Sequence, residues 1–267
     1  MIPRRFCLAA WFALPVAILP CVAALAADSG AASVAALVDE YGKSVVSVSV
    51  DVTMIVSVNG RVMPPRTQTR EVNGTVVAES GLTVMSLGMI DPGVSTVAPP
   101  NMRIEQADFS KVEIHLPDGL VIPSRVVLRR DDLGLVFVVP DSGNERAIVY
   151  SPVMLENAAQ PALLTTYFEI SRAPKAQRRA IMVRTVEVAG IVEPASNTPG
   201  FILTAHSVAQ GCPIFCADGR ILGIGAVFAG EGPIAPGFLP AAEVWTAAKE
   251  AIERADSRGP KSEAPLR

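Results

Sequence analysis

The chain of 267 residues is rich in apolar side chains and poor in charge. Hydrophobic residues make up 50% of it, charged residues 18%, and the formal net charge is −3. This composition excludes wholesale disorder, and the length suffices for one large all-β unit or two small domains. Without a dense run of Lys and Arg, no nucleic-acid partner is expected. The only imidazoles belong to His115 and His206, so a His-rich metal site is excluded and no cofactor is expected.

The N-terminal segment has the pattern of an export signal. Arg4 and Arg5 precede a nearly unbroken apolar run from Phe6 to Val22, and Ala24-Leu25-Ala26 is a small-x-small cleavage site. This order predicts a secretory signal peptide over residues 1–26 or 1–27, and therefore a periplasmic or extracellular protein.

An uncleaved membrane anchor is the alternative for this segment, because the apolar run approaches the roughly 20 residues that a membrane span needs. Pro15 and Pro20 interrupt the run and count against an anchor. Since no second long apolar segment follows, we expect no membrane insertion after cleavage. The mature chain would keep only Cys212 and Cys216, in a compartment that permits disulfides.

After the signal, short β patterns alternate with turns. Apolar residues at helical spacing predict a short helix over residues 31–42, and alternation of Val with polar residues predicts a strand over 44–56. Turns are predicted at Asn59-Gly60, Pro117-Asp118-Gly119 and Asp218-Gly219. Further strands are predicted at 69–78, 82–90, 112–116, 121–128, 133–139, 161–167, 185–192, 200–204, 213–216 and 221–228.

Two long segments lack β alternation. Residues 91–110 contain three Pro and predict a surface loop. Residues 171–180, SRAPKAQRRA, predict a basic polar loop, which is either solvated or able to contact an acidic partner. A helix is predicted over 240–255 and a polar tail over 256–267. Many short strands with few helices predict an all-β barrel or sandwich.

Seven segments, from VAALVDEYGKSVVSVSV to GFLPAAEVWTAAKEAI, together resemble a known family, and three of them align with its catalytic positions. NGTVVAESGLTVMSLGMI is similar to the segment that ends in a catalytic His, and DDLGLVFV to the motif that holds a catalytic Asp. VAQGCPIFCADGRILGIGAV is similar to a nucleophile loop and the hairpin after it. In this order and spacing, over roughly residues 33–254, the chain resembles the trypsin-like serine proteases, specifically the secreted bacterial Deg/HtrA type.

The resemblance implies a fold of two packed antiparallel β-barrels with a site in the cleft between them. The protease-like domain would span residues 28–255, with barrels at about 44–140 and about 150–240 and a helix at 240–255. The resemblance also implies a chain without the PDZ domain common in that group.

The resemblance places Asp132 at the family's Asp position, Gly88 at the His position and Gln210 at the Ser position. Gly has no side chain to move a proton, and the Gln amide is neither a useful nucleophile nor a base. Because triad members act as a unit, losing them removes most of the catalysis. The sequence therefore predicts an inactive homologue that binds a protein or peptide partner, with Asp132 buried in a packing role. A structural subunit of a secreted assembly is a further alternative.

An unusual active site is the other alternative, with Cys212 or Ser207 as nucleophile and His206 as base. Adjacent residues on a strand point to opposite faces, so Ser207 and His206 would not form a dyad there. No His is visibly placed to activate Cys212. By the same alternation, His115 is expected to face solvent or a strand neighbour.

The sequence allows two alternatives for the cysteines of the mature chain, a disulfide or two unpaired thiols. Cys212 and Cys216 can pair if the chain turns at Pro213. They cannot pair if the segment is extended, because four residues then span ~13 Å against a Cα limit of ~6 Å. Two unpaired thiols are the alternative.

Overall fold

The computed structural model describes residues 33–91, 93, 101–141, 148–193, 200–228 and 235–257. The predicted signal peptide and residues 258–267 of the predicted tail lie outside these ranges. The elements in chain order are α1 (residues 33–41), β1 (Val45–Val58), β2 (Arg61–Val62), β3 (Arg66–Val76), β4 (Thr83–Ser86), α2 (Leu87–Ile90), β5 (Met102–His115), β6 (Val121–Arg130), β7 (Leu135–Pro140), β8 (Thr166–Arg172), β9 (Ile181–Val192), β10 (Phe201–Thr204), β11 (Pro213–Phe215), β12 (Ile221–Phe228), β13 (Ala235–Pro240) and α3 (Ala241–Ser257).

The first seven strands build a closed antiparallel barrel. Its order is β1-β3-β4-β7-β6-β5, and β5 returns to pair with β1, while β2 extends β1 as a short hairpin. The long strand β1 closes the barrel because its 14 residues pair with β3 on one side and β5 on the other. Alternate β1 residues fill the interior, and this cluster includes Val46, Val48, Val50 and Val52.

The last six strands build a second closed barrel in the order β10-β13-β12-β11-β8-β9. Its pairings are antiparallel throughout. Its interior is a smaller apolar cluster that includes Tyr167, Val188, Ile202 and Phe238. Two closed barrels leave few free strand edges, which is the usual benefit of barrel closure.

A third apolar cluster joins the two barrels. On β7, Leu135, Phe137 and Val139 belong to this shared cluster, whereas Val136 and Val138 belong to the interior of the first barrel. This split follows from the two-residue period of a strand. The second barrel contributes Phe201, Phe215 and Leu239, and α3 contributes Val244, Ala247, Ala248 and Ala251. The predicted fold of two packed antiparallel barrels with a C-terminal helix is therefore confirmed, and it is the trypsin-like double barrel.

The predicted turns are confirmed by their backbone angles. Asn59 and Gly60 both have positive φ, of 51° and 76°, as a two-residue hairpin requires. Gly119 and Gly219 also have positive φ, of 90° and 86°.

The prediction of a loop over residues 91–110 is wrong from Met102 onward, where β5 begins. This part of β5 pairs with the outer half of β1, so that Met54 lies opposite Ala107. Most of its side chains are exposed or half-buried, and such a strand lacks the apolar alternation on which the prediction depended.

Two strand boundaries also differ from the sequence prediction. The apolar run over 82–90 is a strand only to Ser86 and then forms the one-turn helix α2. The strand predicted at 161–167 begins at Thr166, because Leu164 occupies a left-handed turn with φ of 56°. Across the described ranges, no helix combines the length and apolarity needed to cross a bilayer.

Candidate functional site

The position aligned with the family's His lies where β4 ends. Ser86 is the last residue of β4, and the Leu87 N–H donates to the Gly134 carbonyl at 2.7 Å, which anchors α2 on the turn before β7. Gly88 lies buried inside α2. This position therefore offers no imidazole or other side chain to accept a proton.

The position aligned with the nucleophile lies on the second barrel but touches the first. The Ser86 hydroxyl donates to the Gln210 amide oxygen at 2.7 Å. One residue later, the Gly211 carbonyl accepts the Thr75 hydroxyl, also at 2.7 Å. Because Ser86 and Thr75 belong to β4 and β3, these two hydrogen bonds connect the loop after β10 to the first barrel.

Gly211 brings this loop into direct backbone contact with the first barrel. Its φ is 76°, and a Cβ on it would overlap the Asn73 carbonyl oxygen and lie 3.3 Å from the Met85 Cα. Only glycine meets both demands. The loop is also hydrogen-bonded to strand β12 of its own barrel, since the Gly211 N–H donates to the Gly225 carbonyl at 2.8 Å. The junction is thus packed backbone against backbone at the residue after Gln210.

A buried carboxylate that the sequence analysis missed holds the same loop. Glu169 on β8 is fully buried, and its Oε2 accepts the Ala209 N–H at 2.5 Å. Its Oε1 accepts Nε and Nη2 of Arg184 at 3.0 and 2.7 Å from the neighbouring position on β9. A lone Glu inside the apolar strand TYFEISR was the signal that could have identified it, because such a residue needs a partner when buried.

Asp132, which the resemblance places at the Asp position, forms its side-chain hydrogen bonds away from this junction. Its two carboxylate oxygens accept Nε and Nη2 of Arg130 at 2.8 and 2.6 Å. The side chain is 55% exposed, so the expectation of a buried Asp132 in a packing role is wrong. The turn after β6 faces solvent, and Arg130 supplies the charge partner that lowers the pKa of Asp132, mainly through hydrogen bonding.

Cys212 and Cys216 are free thiols. The extended strand β11 lies between them, which is the geometry in which pairing is not expected. Cys212 is fully buried, and burial, followed by the charge of Glu169, raises the pKa of its thiol well above its ordinary value. A thiol of this kind is a poor nucleophile because its thiolate is scarce.

His206 and Ser207 are both exposed on the loop after β10. Thr204 donates its hydroxyl to the His206 carbonyl at 2.7 Å, which fixes the backbone of the loop rather than the imidazole. Within the described ranges, the His206 side chain hydrogen-bonds neither Ser207 nor Cys212. The structure therefore does not bring together the residues of the alternative active site.

A serine and a histidine do meet on the first barrel. His115 Nε2 lies 2.9 Å from the Ser49 hydroxyl, across the β1–β5 pairing, so its partner is a strand neighbour as expected. The Glu113 carboxylate lies 3.4 Å from the same hydroxyl. In a catalytic triad the carboxylate orients the imidazole, whereas here it contacts the hydroxyl. The cluster has the form of a cross-strand polar network.

No group of three or more His, Cys, Asp and Glu side chains among the described residues is arranged to hold a metal ion.

No protein-family model matches this chain, and none of the curated proteins matches it. The class that the structure defines is the trypsin-like double barrel, with a packed junction at which Ser86 and Thr75 of the first barrel hydrogen-bond Gln210 and Gly211 of the second.

Glu169→Gln tests whether the buried carboxylate holds the junction loop. The amide keeps the shape but loses the charge that strengthens the bonds to Ala209 and Arg184. We expect the free energy of unfolding in urea to fall by about 1–3 kcal/mol. Glu187→Gln, on the exposed face of β9, is the matched control and should change little. Equal stability of the two variants would contradict this role of Glu169.

Proposed function

We propose that this protein is an exported, catalytically inactive homologue of the trypsin-like serine proteases that acts by binding a protein or peptide. The observation that carries the proposal is the hydrogen bond from Ser86 to Gln210. The residue aligned with the nucleophile serves as an acceptor that joins the two barrels, and Gly88, aligned with the base, has no side chain.

The chemistry of these groups supports inactivity. General-base assistance alone contributes roughly 10²–10⁴-fold to such reactions, and neither an amide nor a glycine supplies it. Both carboxylate oxygens of Asp132 accept hydrogen bonds from Arg130. Among the described residues, no imidazole hydrogen-bonds Asp132. Cys212 and Ser49 are poorly suited as nucleophiles, because Cys212 is buried and the Glu113 carboxylate accepts a hydrogen bond from Ser49 instead of orienting His115.

A binding role accords with the exposed apolar residues of the second barrel. Leu163 and Leu164 are 56% and 79% exposed at the turn before β8. The turn is fixed on the barrel, since the Leu164 N–H donates to the Val188 carbonyl at 2.9 Å. Adjacent exposed leucines on a fixed turn are the kind of feature that a protein partner covers.

One mass-spectrometric experiment tests both inactivity and export. The chain is expressed with its N-terminal segment in a Gram-negative host, recovered from the periplasm, and treated with a fluorophosphonate probe that labels activated serines. We expect a mass that begins at Ala27 or Asp28 and carries no adduct.

A retained N-terminus would overturn the cleaved signal peptide alone. An adduct at any serine would overturn inactivity, and Ser49→Ala and Ser207→Ala would locate it. Casein cleavage that is inhibited by thiol reagents and lost in Cys212→Ala would instead establish the cysteine alternative.

Capture of a partner tests the binding role. Leu164→Lys should abolish the co-purification of a stoichiometric partner with the exported protein, because a charge at the centre of an apolar contact is costly. Val121→Lys, at an exposed position of the first barrel, is the control and should retain that partner. Equal recovery with both variants would show that this turn is not the binding surface.

A further inference from the structure

A small basic pocket lies where the turn after β5 meets the loop between β8 and β9. Its volume is about 120 Å³, and it joins one surface of each barrel. The residues that line it and carry the argument are His115, Leu116, Pro117, Arg172, Arg178 and Arg179. It is separate from the Ser86–Gln210 junction, and nothing in the proposed function uses it.

Arg172 brings a buried positive charge to this pocket. Its guanidinium donates to three backbone carbonyls, those of Val45, Gly42 and Arg179. A guanidinium has five N–H donors, so two remain available. No carboxylate contacts Arg172 in the described part of the chain. Its burial without a counter-charge lowers the pKa of Arg172 from its ordinary value.

The loop between β8 and β9 presents two more arginines in a fixed arrangement. Arg178 and Arg179 both adopt left-handed backbone angles, with φ of 57° and 52°, and the Ala173 N–H closes the loop on the Ala180 carbonyl at 2.9 Å. Arg179 pairs with Glu71 at 2.7 Å. Within the described ranges, the side chain of Arg178 has no ion-pair or hydrogen-bond partner.

The balance of charge at the pocket is positive. Arg172, Arg178, Arg179 and Lys175 outnumber the two nearby carboxylates, Glu71 and Glu113. A cavity of this size admits one small group, and the side chains of Arg172 and Arg179 are held by hydrogen bonds before any ligand arrives. Preorganised cations of this kind recognise oxygen anions through charge-assisted hydrogen bonds.

We propose that this pocket binds an oxyanion, either a carboxylate or a tetrahedral group such as sulfate or phosphate, between Arg172 and Arg178 and beside His115. The bound group would supply the counter-charge that Arg172 lacks. It would also bridge β5 of the first barrel and the β8–β9 loop of the second. The proposal does not depend on whether the protein is catalytically inactive.

His115 serves as a built-in reporter for this site. Burial first and then the charge of Arg179 lower its pKa; Lys175 acts in the same direction, while Glu71 and Glu113 oppose them. Its nearest polar contact is the Ser49 hydroxyl. A bound anion favours the imidazolium and therefore raises the pKa of His115. The exposed His206 is the only other histidine and provides an internal control.

The experiment is a pH titration of both histidines by NMR in the mature protein, in sodium sulfate and in sodium chloride of equal ionic strength, with sodium acetate as a third arm. We expect sulfate or acetate to raise the pKa of His115 relative to chloride while that of His206 stays unchanged. A response to sulfate alone identifies a tetrahedral ligand, and a response to acetate identifies a carboxylate.

Two substitutions locate the effect. Arg178→Gln should weaken the apparent affinity for the responding anion roughly threefold to tenfold, because it removes one charge-assisted contact. Arg61→Gln, on the exposed strand β2, removes the same charge elsewhere and should leave the affinity unchanged. Arg172 is left intact because its bonds to carbonyls hold the loop. Equal behaviour of His115 and His206, or of the two variants, would overturn the proposal.

Discussion

The hydrogen bond from Ser86 to Gln210 crosses the junction of the two barrels, two residues before Gly88 and at the residue that the resemblance aligns with a nucleophile. Beside it, Gly211 packs against the backbone of β3 and β4, and its carbonyl accepts the Thr75 hydroxyl. A reacting side chain needs space for substrate, whereas a joining side chain needs a partner. Gln210 has a partner in Ser86, as a joining side chain does. The proposed loss of catalysis follows from this role in joining the barrels.

The rest of the molecule supports this junction from both sides. The shared apolar cluster between the barrels, with Phe137 and Phe215 fully buried, holds the barrels at a fixed separation. Glu169 holds the preceding residue of the loop from within the second barrel and is itself neutralised by Arg184. Burying a carboxylate is costly unless it is paired and hydrogen-bonded, so its presence beside Gln210 shows that the loop conformation is strongly determined.

Much of the fold could be predicted because strands with one buried face show a two-residue period, as Val46 to Val52 do, and because turns such as Asn59-Gly60 need left-handed residues. The exposed half of β5 has no such period and was predicted as a loop. At the site, the resemblance of motifs places Gly88 at the position of a catalytic His and Gln210 at that of a catalytic Ser. The sequence could not give the partner of Gln210 or the Arg172 pocket, because those depend on contacts between residues 124 and 130 positions apart. The exposed position of Asp132 was missed because the prediction took it from the buried Asp of the related motif.

The most direct test of the central claim is a double-mutant cycle on Ser86 and Gln210, measured by urea unfolding of the two single alanine variants and the double variant. If the side chains join the barrels, each single change is destabilising and the pair is coupled by about 0.5–1.5 kcal/mol. Strictly additive effects of Ser86→Ala and Gln210→Ala would contradict the account, because Gln210 would then be a substitution without a structural role at the junction.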